Sequence, residues 1–375
     1  MLYGPPCLEA QEKRLERHPL IALANSRDVK QAKGFREAAT ALTGESLDKL
    51  YKEEVANAPR RKEAGKKYFG SHPKAPTGRR NSKDPEHLAM ALLGASKATE
   101  AAEEGEAGLE LPDGGRLLLL DYQLPVATAA LDKSLGDADP NKGIGKLDLL
   151  GLLPDGRLAV VVVKFVPPSA TRGGTGDTPL RALLDGLALA AIVDLNRAAI
   201  AEEVTEATGR DVSEEAPALI LLGGSRYWEI CRKREAQKGA GWIRELERIG
   251  REVSEVTGVE IRYLGIQVEG DPGWEYADTG PVITGSPSIG PAWEARAGKL
   301  KPKPKSRPKA SDENAIVEAD LSRPPRDYGI RESYTPGDRI SHPTLGQGVV
   351  QAIAGVGKIT VLFDETKSLL VHERP

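Results

Sequence analysis

An aspartate and a lysine stand out in an apolar stretch that runs from Gly145 to Lys164. Two runs rich in Leu and Val flank Pro154-Asp155-Gly156. That tripeptide favours a type I turn closed by a glycine at positive φ, so the stretch predicts a β-hairpin with a three-residue loop. In that register Leu153 pairs with Arg157. Counting outward then sets Asp148 opposite Val162 and Lys146 opposite Lys164. Side chains two apart on a strand share a face, so these four are expected together. A buried unpaired charge costs several kcal/mol. A carboxylate and an amine on such a hairpin therefore need a purpose, and acid–base or charge-stabilising chemistry is the natural one.

A second set of candidates lies upstream. Between residues 59 and 83, Arg60, Arg61, Lys62, Lys66, Lys67, Lys74, Arg79, Arg80 and Lys83 surround Tyr68, Phe69 and His72. Cations interleaved with aromatics can hold phosphates and stack bases. The same run also reads as a solvated basic connector. Gly173-Gly174-Thr175-Gly176 precedes a helix start, where amide groups favour anions, but no Gly-Lys-Ser/Thr follows as in a Walker loop. It reads as a cap and flexible turn. No Ser/His/Asp arrangement is present. Of the five histidines, His342 and His372 lie in the tail, so no histidine metal cluster is expected.

The bulk composition frames these candidates. The 375 residues suffice for more than one domain, and 39% apolar with 29% charged residues fits a globular protein with polar linkers. A net charge of -3 gives no global pull towards nucleic acid, so any basic surface must be local. Cys7 and Cys231 are far apart, without zinc-type spacing, so a reducing cytoplasm is expected. No signal peptide is read at the N-terminus. No window approaches the roughly 18–20 apolar residues of a membrane span.

Taken in order, residues 1–83 read as a helical, partly basic region. Val29, Ala32, Phe35 and Ala39 recur at helix spacing, as do Leu47, Leu50 and Val55. Asp84-Pro85-Glu86 opens a helix with an apolar stripe at Leu88, Ala91, Leu92 and Ala95. A strand pair around Leu109–Leu111 and Arg116–Tyr122 follows, then the hairpin. A long apolar helix to about 206 comes next, capped by Asp177 or Thr178 with Pro179 in its first turn. A strand at Ala218–Leu222, an amphipathic helix carrying Trp242, Leu246, Ile249 and Val253, and a strand at Val259–Val268 complete one α/β domain on a mixed sheet, over 84–270. From 271 to 333 the composition turns to Gly and Pro, then to Lys alternating with Pro, which reads as a linker. Short alternating strands with glycine turns over 334–375 predict a small curled β-barrel.

The ordered elements around Asp148 and Lys164 resemble the PD-(D/E)xK nuclease superfamily, over roughly 84–225. The resemblance implies a restriction-endonuclease-like mixed sheet flanked by helices. It also implies a magnesium-dependent phosphodiesterase. On it, Asp148 is the metal-binding aspartate, Lys164 orients the attacking water, and Glu86 is the helix carboxylate. Magnesium takes oxygen ligands and usually one or two carboxylates. This sequence departs from the pattern at Val162, where the superfamily has Glu or Asp. The site is then either dead and kept for binding, or completed by Asp185 or Asp177. Alternatively, Lys164 merely snorkels from a strand end. DNA is the implied partner, with Lys146, Arg60, Arg61, Lys66, Lys67, Arg79 and Arg80 as candidate contacts.

The tail motif Gly337-Asp338-Arg339-Ile340-Ser341-His342-Pro343, followed by Leu345-Gly346-Gln347-Gly348-Val349-Val350, resembles the Tudor/SH3-like module of UvrD/PcrA-type repair helicases and of CarD-like regulators. That resemblance implies recruitment, with RNA polymerase or repair machinery as partner. The competing reading is a non-enzymatic adaptor in which both domains bind partners. No membrane association is expected.

Overall fold

The Pro154-Asp155-Gly156 turn folds as its residue types dictate. Gly156 takes a φ of 81°, and the Leu153 N–H donates to the Arg157 carbonyl at 2.9 Å. The ladder then pairs Leu152 with Leu158 and runs out to Leu149 opposite Val161, in the register expected from the turn. The computed structural model describes residues 17–31, 35–70, 75–101, 107–130, 132, 134–171, 177–238, 241–293, 316–364 and 366–373. The Gly173–Gly176 loop, His72, Lys74, Cys7 and the Lys/Pro alternation at 299–309 lie outside those residues.

The chain divides near residue 296 into two units. The larger begins with helices α1 (Pro19–Ala24), α2 (Arg27–Lys30), α3 (Phe35–Ala41), α4 (Gly44–Asn57) and α5 (Asp84–Ala101). Strands β1 (Leu109–Glu110), β2 (Arg116–Pro125), β3 (Lys146–Leu152) and β4 (Leu158–Lys164) follow. Then come α6 (Pro179–Leu195), α7 (Arg197–Thr208), β5 (Ala218–Gly224), α8 (Ser225–Lys238), α9 (Trp242–Thr257) and β6 (Ile261–Gln267). Three short strands, β7 (Trp274–Ala277), β8 (Gly280–Ile283) and β9 (Ser288–Pro291), close the unit. The main sheet runs β1-β2-β3-β4-β5-β6-β9. It is mixed: β4, β5 and β6 are parallel to one another, and the other pairings are antiparallel.

Helix α5 and the β7–β8 hairpin cover one face, where Leu88, Leu92 and Trp274 pack on Leu119, Leu149, Val161 and Val163. Helices α6, α8 and α9 cover the other with Leu183, Leu187, Trp228 and Leu246, against Leu150, Val160 and Val162. Parallel strands buried on both faces explain the unbroken Val and Leu runs. The Thr178 hydroxyl caps α6 by accepting the Arg181 N–H, with Pro179 in the first turn.

Several expectations are corrected. The periodicity through Val29 and Phe35 is split between α2 and α3, because Gln31 is extended (ψ 124°). The apolar helix expected to about 206 breaks at Asn196, whose amide donates to the Ile192 and Pro59 carbonyls and starts α7. Residues 271–293, expected in a linker, join the larger unit instead. There β9 pairs with β6, and Trp293 packs edge-on against Trp228 and Trp242 at 5.3 and 5.8 Å. Aromatic anchors outweigh the Gly/Pro content of that stretch.

The N-terminal helices also pack into this unit. Arg248 on α9 donates to the Ala39 and Leu42 carbonyls, and the Gly44 N–H donates to the Glu252 carboxylate at 2.9 Å. The His18 ring sits between the Glu54 carboxylate (2.6 Å) and the Pro140 carbonyl (2.9 Å). Burial disfavours a charged ring there, but these two acceptors outweigh it and hold the His18 pKa above its usual value.

The smaller unit is a nearly closed barrel of β10 (Arg326–Asp327), β11 (Arg339–His342), β12 (Gly346–Gly355), β13 (Lys358–Phe363) and β14 (Thr366–Val371). Its core is Tyr334, Ile340, Val350, Ile359, Val361 and Phe363. The unit starts upstream of the expected boundary at 334: Asp320 donates its N–H to the Gly337 carbonyl, and Arg323 and Arg326 both reach the Asp338 carboxylate.

Gly44 tests the attachment of the N-terminal helices. A Cβ there would lie 2.8 Å from the Glu252 backbone, which cannot rotate away. Gly44→Ala is expected to lower stability by about 1–3 kcal/mol, read as a fall in thermal midpoint with faster proteolysis ahead of residue 58.

Candidate functional site

The alternation of faces breaks where β2 ends and β3 begins, and the candidate site forms there. In β2, Tyr122 packs in the layer with α5 whereas Leu124 packs in the opposite layer. In β3, Leu149 and Leu147 are divided in the same way. Residues two apart ordinarily share a face. Between them lies Gln123, 7% exposed, with a φ of 47°. A non-glycine residue in left-handed conformation inside a strand is strained. It turns the strand over, and the facing positions on β3 follow.

Asp148 sits at this reversal, and the β3–β4 ladder ends next to it. Its Oδ2 accepts the Val163 N–H at 2.9 Å, so a side chain takes the place of the next backbone acceptor. Its Oδ1 faces the Gln123 amide at 3.4 Å. An open cleft of ≈ 850 Å³ lies over this point. Its lining includes Arg80, Lys83, Glu86, His87, Lys146 and Asp148. Glu86, in the first turn of α5, is paired with Lys83.

The structure therefore corrects the expectation that Asp148, Val162, Lys146 and Lys164 share a face. Lys146 and Asp148 line the cleft on the α5 side. Val162 packs towards α6, with its Cγ2 next to Gly186. Lys164 is not among the cleft residues. Its amine pairs with Asp177 at 3.0 Å, near the α6 N-terminus. Asp185 lies within α6, about two turns beyond Asp177, and is paired with Arg181 at 3.5 Å. Burial raises the Asp185 pKa, against the lowering effects of Arg181 and Lys164.

The charge of Lys164 still reaches both groups. Burial pushes the Asp148 pKa up to about 6. The Val163 N–H and the Lys164 charge oppose that rise, and the Glu86 charge adds to it. Among the described residues, no three His, Cys, Asp or Glu side chains group as a metal site. Glu86 and Asp148 each have protein partners, and Asp177 and Asp185 belong to the other group. The donor set does not make a magnesium cage by itself.

The upstream cations divide as well. Arg61, expected as a nucleic-acid contact, is 6% exposed and donates to the Lys67 and Ala127 carbonyls, with its guanidinium over the Tyr68 ring. That arginine is part of the fold. Arg60 pairs with Glu63, Lys62 with Glu202, and Lys67 with Glu206 at 3.9 Å, all at the surface, and Lys66 is exposed. Arg79 pairs with Asp84 at 3.2 Å and lies 3.9 Å from Asp271. Of the described cations from the basic run, only Arg80 and Lys83 line the cleft.

Sequence reasoning missed Gln123, His87 and Tyr276. The Tyr276 hydroxyl lies 2.7 Å from His87 Nδ1 and accepts the Trp274 indole N–H at 3.1 Å. Burial lowers the His87 pKa. The only signal in the sequence was His87 directly after Glu86. Comparison with protein-family models, curated proteins and solved structures returns no match for this chain.

Two substitutions probe this geometry. A carboxyl whose folded pKa lies above its unfolded value binds its proton more tightly in the folded state. Folding is therefore penalised as pH rises from about 4 through 6, and the full penalty, about 3 kcal/mol, stands above that window. Asp148→Asn removes it. The variant is expected to exceed the parent in denaturant stability by up to about 3 kcal/mol at pH 8, with the gain vanishing near pH 4. Val162→Glu places a carboxylate in the α6 layer, so a loss of about 3–5 kcal/mol is expected, with no gain in magnesium affinity by calorimetry.

Proposed function

We propose that this chain is a DNA-associated protein of endonuclease-like architecture. Its cleft grips the phosphate backbone, its metal site is compromised, and its barrel recruits it to other machinery. One observation carries the reading: Arg80, Lys83 and Lys146 line the same open cleft as Glu86 and Asp148. Cations along a cleft neutralise phosphates and release condensed counterions, which supplies sequence-independent affinity.

The placement of three residues supports a compromised centre. The superfamily's second acid is replaced by Val162, which is buried against α6. Lys164, the water-orienting residue by resemblance, is held by Asp177. Asp148, protonated in part near pH 6, is a weak ligand for a cation in mildly acidic solution. A second reading, slow cleavage with magnesium, is favoured by Glu86 and Asp148 facing one cleft. Two carboxylates can suffice when phosphate and water complete the shell.

The barrel's resemblance to helicase and CarD-like modules supports recruitment, with RNA polymerase or repair machinery as the partner class. A cytoplasmic location fits this reading. No helix among the described residues is long and apolar enough to cross a membrane.

Duplex DNA binding measured across salt concentrations tests the proposal. The parent is expected to bind at low salt. The Arg80→Ala/Lys83→Ala/Lys146→Ala triple variant should lose about 2–3 units of the log–log salt slope. Failure of the parent to bind sinks the proposal. Incubation with magnesium or manganese should leave the DNA intact, and nicking abolished by Asp148→Asn would establish the second reading.

A further inference from the structure

A chain of three side chains ends in the cleft beside the two carboxylates. Trp274 on β7 donates its indole N–H to the Tyr276 oxygen at 3.1 Å. An indole nitrogen can only donate. Among the described residues, the partner in reach of the Tyr276 hydroxyl proton is Nδ1 of His87, at 2.7 Å. Where Nδ1 accepts that proton, the ring's own proton sits on Nε2. The rings meet edge to face with centroids 5.6 Å apart, which fixes the imidazole plane. His87 is 4% exposed and lines the cleft, and its Nε2 has no partner among the described residues.

We propose that His87 binds a non-bridging phosphate oxygen of DNA through an uncharged Nε2–H, held in that tautomer by Tyr276 and Trp274. The inference rests on the reading of the cleft as a phosphate-backbone site. The ammonium groups of Lys83 and Lys146 attract a phosphate from any direction, whereas a fixed N–H donor selects one oxygen at one angle. Arg80, Lys83 and Lys146 supply the attraction, and His87 supplies the orientation. Because a neutral ring displaces no counterion, its contribution does not depend on salt.

The test uses the full chain, EDTA and a short DNA duplex, with affinity measured over a salt series. His87→Phe keeps the ring volume and removes both nitrogens. It is expected to weaken binding about tenfold at every salt concentration, with the slope unchanged. His87→Gln, whose amide nitrogen falls near the position of Nε2, should recover most of the loss. Tyr276→Phe should weaken binding several-fold without touching DNA. Nitrogen-15 spectra of the parent should show the Nε2–H tautomer of His87, with the Nε2 resonance moving when DNA is added. A His87→Phe variant that binds like the parent overturns the proposal, and so does a parent spectrum of the Nδ1–H tautomer. Should His87→Phe fail to fold, the response of the parent's Nε2 resonance to DNA decides: movement upholds the contact, and a static resonance in DNA-bound protein overturns it. A parent that binds no DNA overturns the cleft reading itself, which separates the two failures.

Discussion

One backbone amide sets the geometry of the larger unit. The Val163 N–H has the Asp148 carboxylate as its acceptor rather than a carbonyl of the neighbouring strand. A buried amide must be paired, and this pairing holds β3 and β4 apart at their ends while keeping both in one sheet. The strained backbone of Gln123 on the next strand provides the complementary turn. Together they open a notch at the sheet end, and α5 roofs it with Glu86 and His87. The carboxylate that defines the notch is therefore also a structural ligand of the β4 backbone.

The charges around the notch divide between the two faces of the sheet. Arg80, Lys83, Lys146, Glu86 and Asp148 lie towards α5, and Lys164, Asp177, Arg181 and Asp185 lie towards α6. Each group contains both signs, which is how a half-buried cluster avoids the cost of isolated charge. Lys164 stands between them, opposing the burial-driven rise in the pKa of both Asp148 and Asp185 while paired with Asp177. That pairing keeps the Lys164 amine near the start of α6 rather than in the cleft.

Local chemistry was legible wherever a few adjacent residues decide the outcome. Pro154-Asp155-Gly156 set the turn and hence the register of the hairpin, and Thr178-Pro179 set the start of α6. The facing of Asp148 was not legible, because counting by twos assumes an unbroken extended backbone and nothing in Gln123 announces a positive φ. The fate of Arg61 depends on two carbonyls, those of Lys67 and Ala127, one of which lies 66 positions downstream. The His87–Tyr276 contact spans 189 positions and leaves no local pattern at all. Residues 271–293 misled through composition: glycines and prolines there shape short strands around Trp274 and Trp293 rather than a free tether.

The barrel motif that invites a recruitment reading is largely consumed by the barrel itself. The Asp338 carboxylate gathers Arg323, Arg326 and the Thr335 N–H. The His342 ring lies against Tyr328 and Phe363, and its Nδ1 accepts the Thr344 N–H. Gly348 is bare because a Cβ there would meet the Phe363 ring at 2.6 Å. A signature written by such internal fitting reports a shape, and two proteins could share it while docking on unrelated surfaces. Whatever this module selects must be encoded in its outward-pointing residues, such as Ile353, Val356 and Leu369, which are exposed and take no part in the core beneath them.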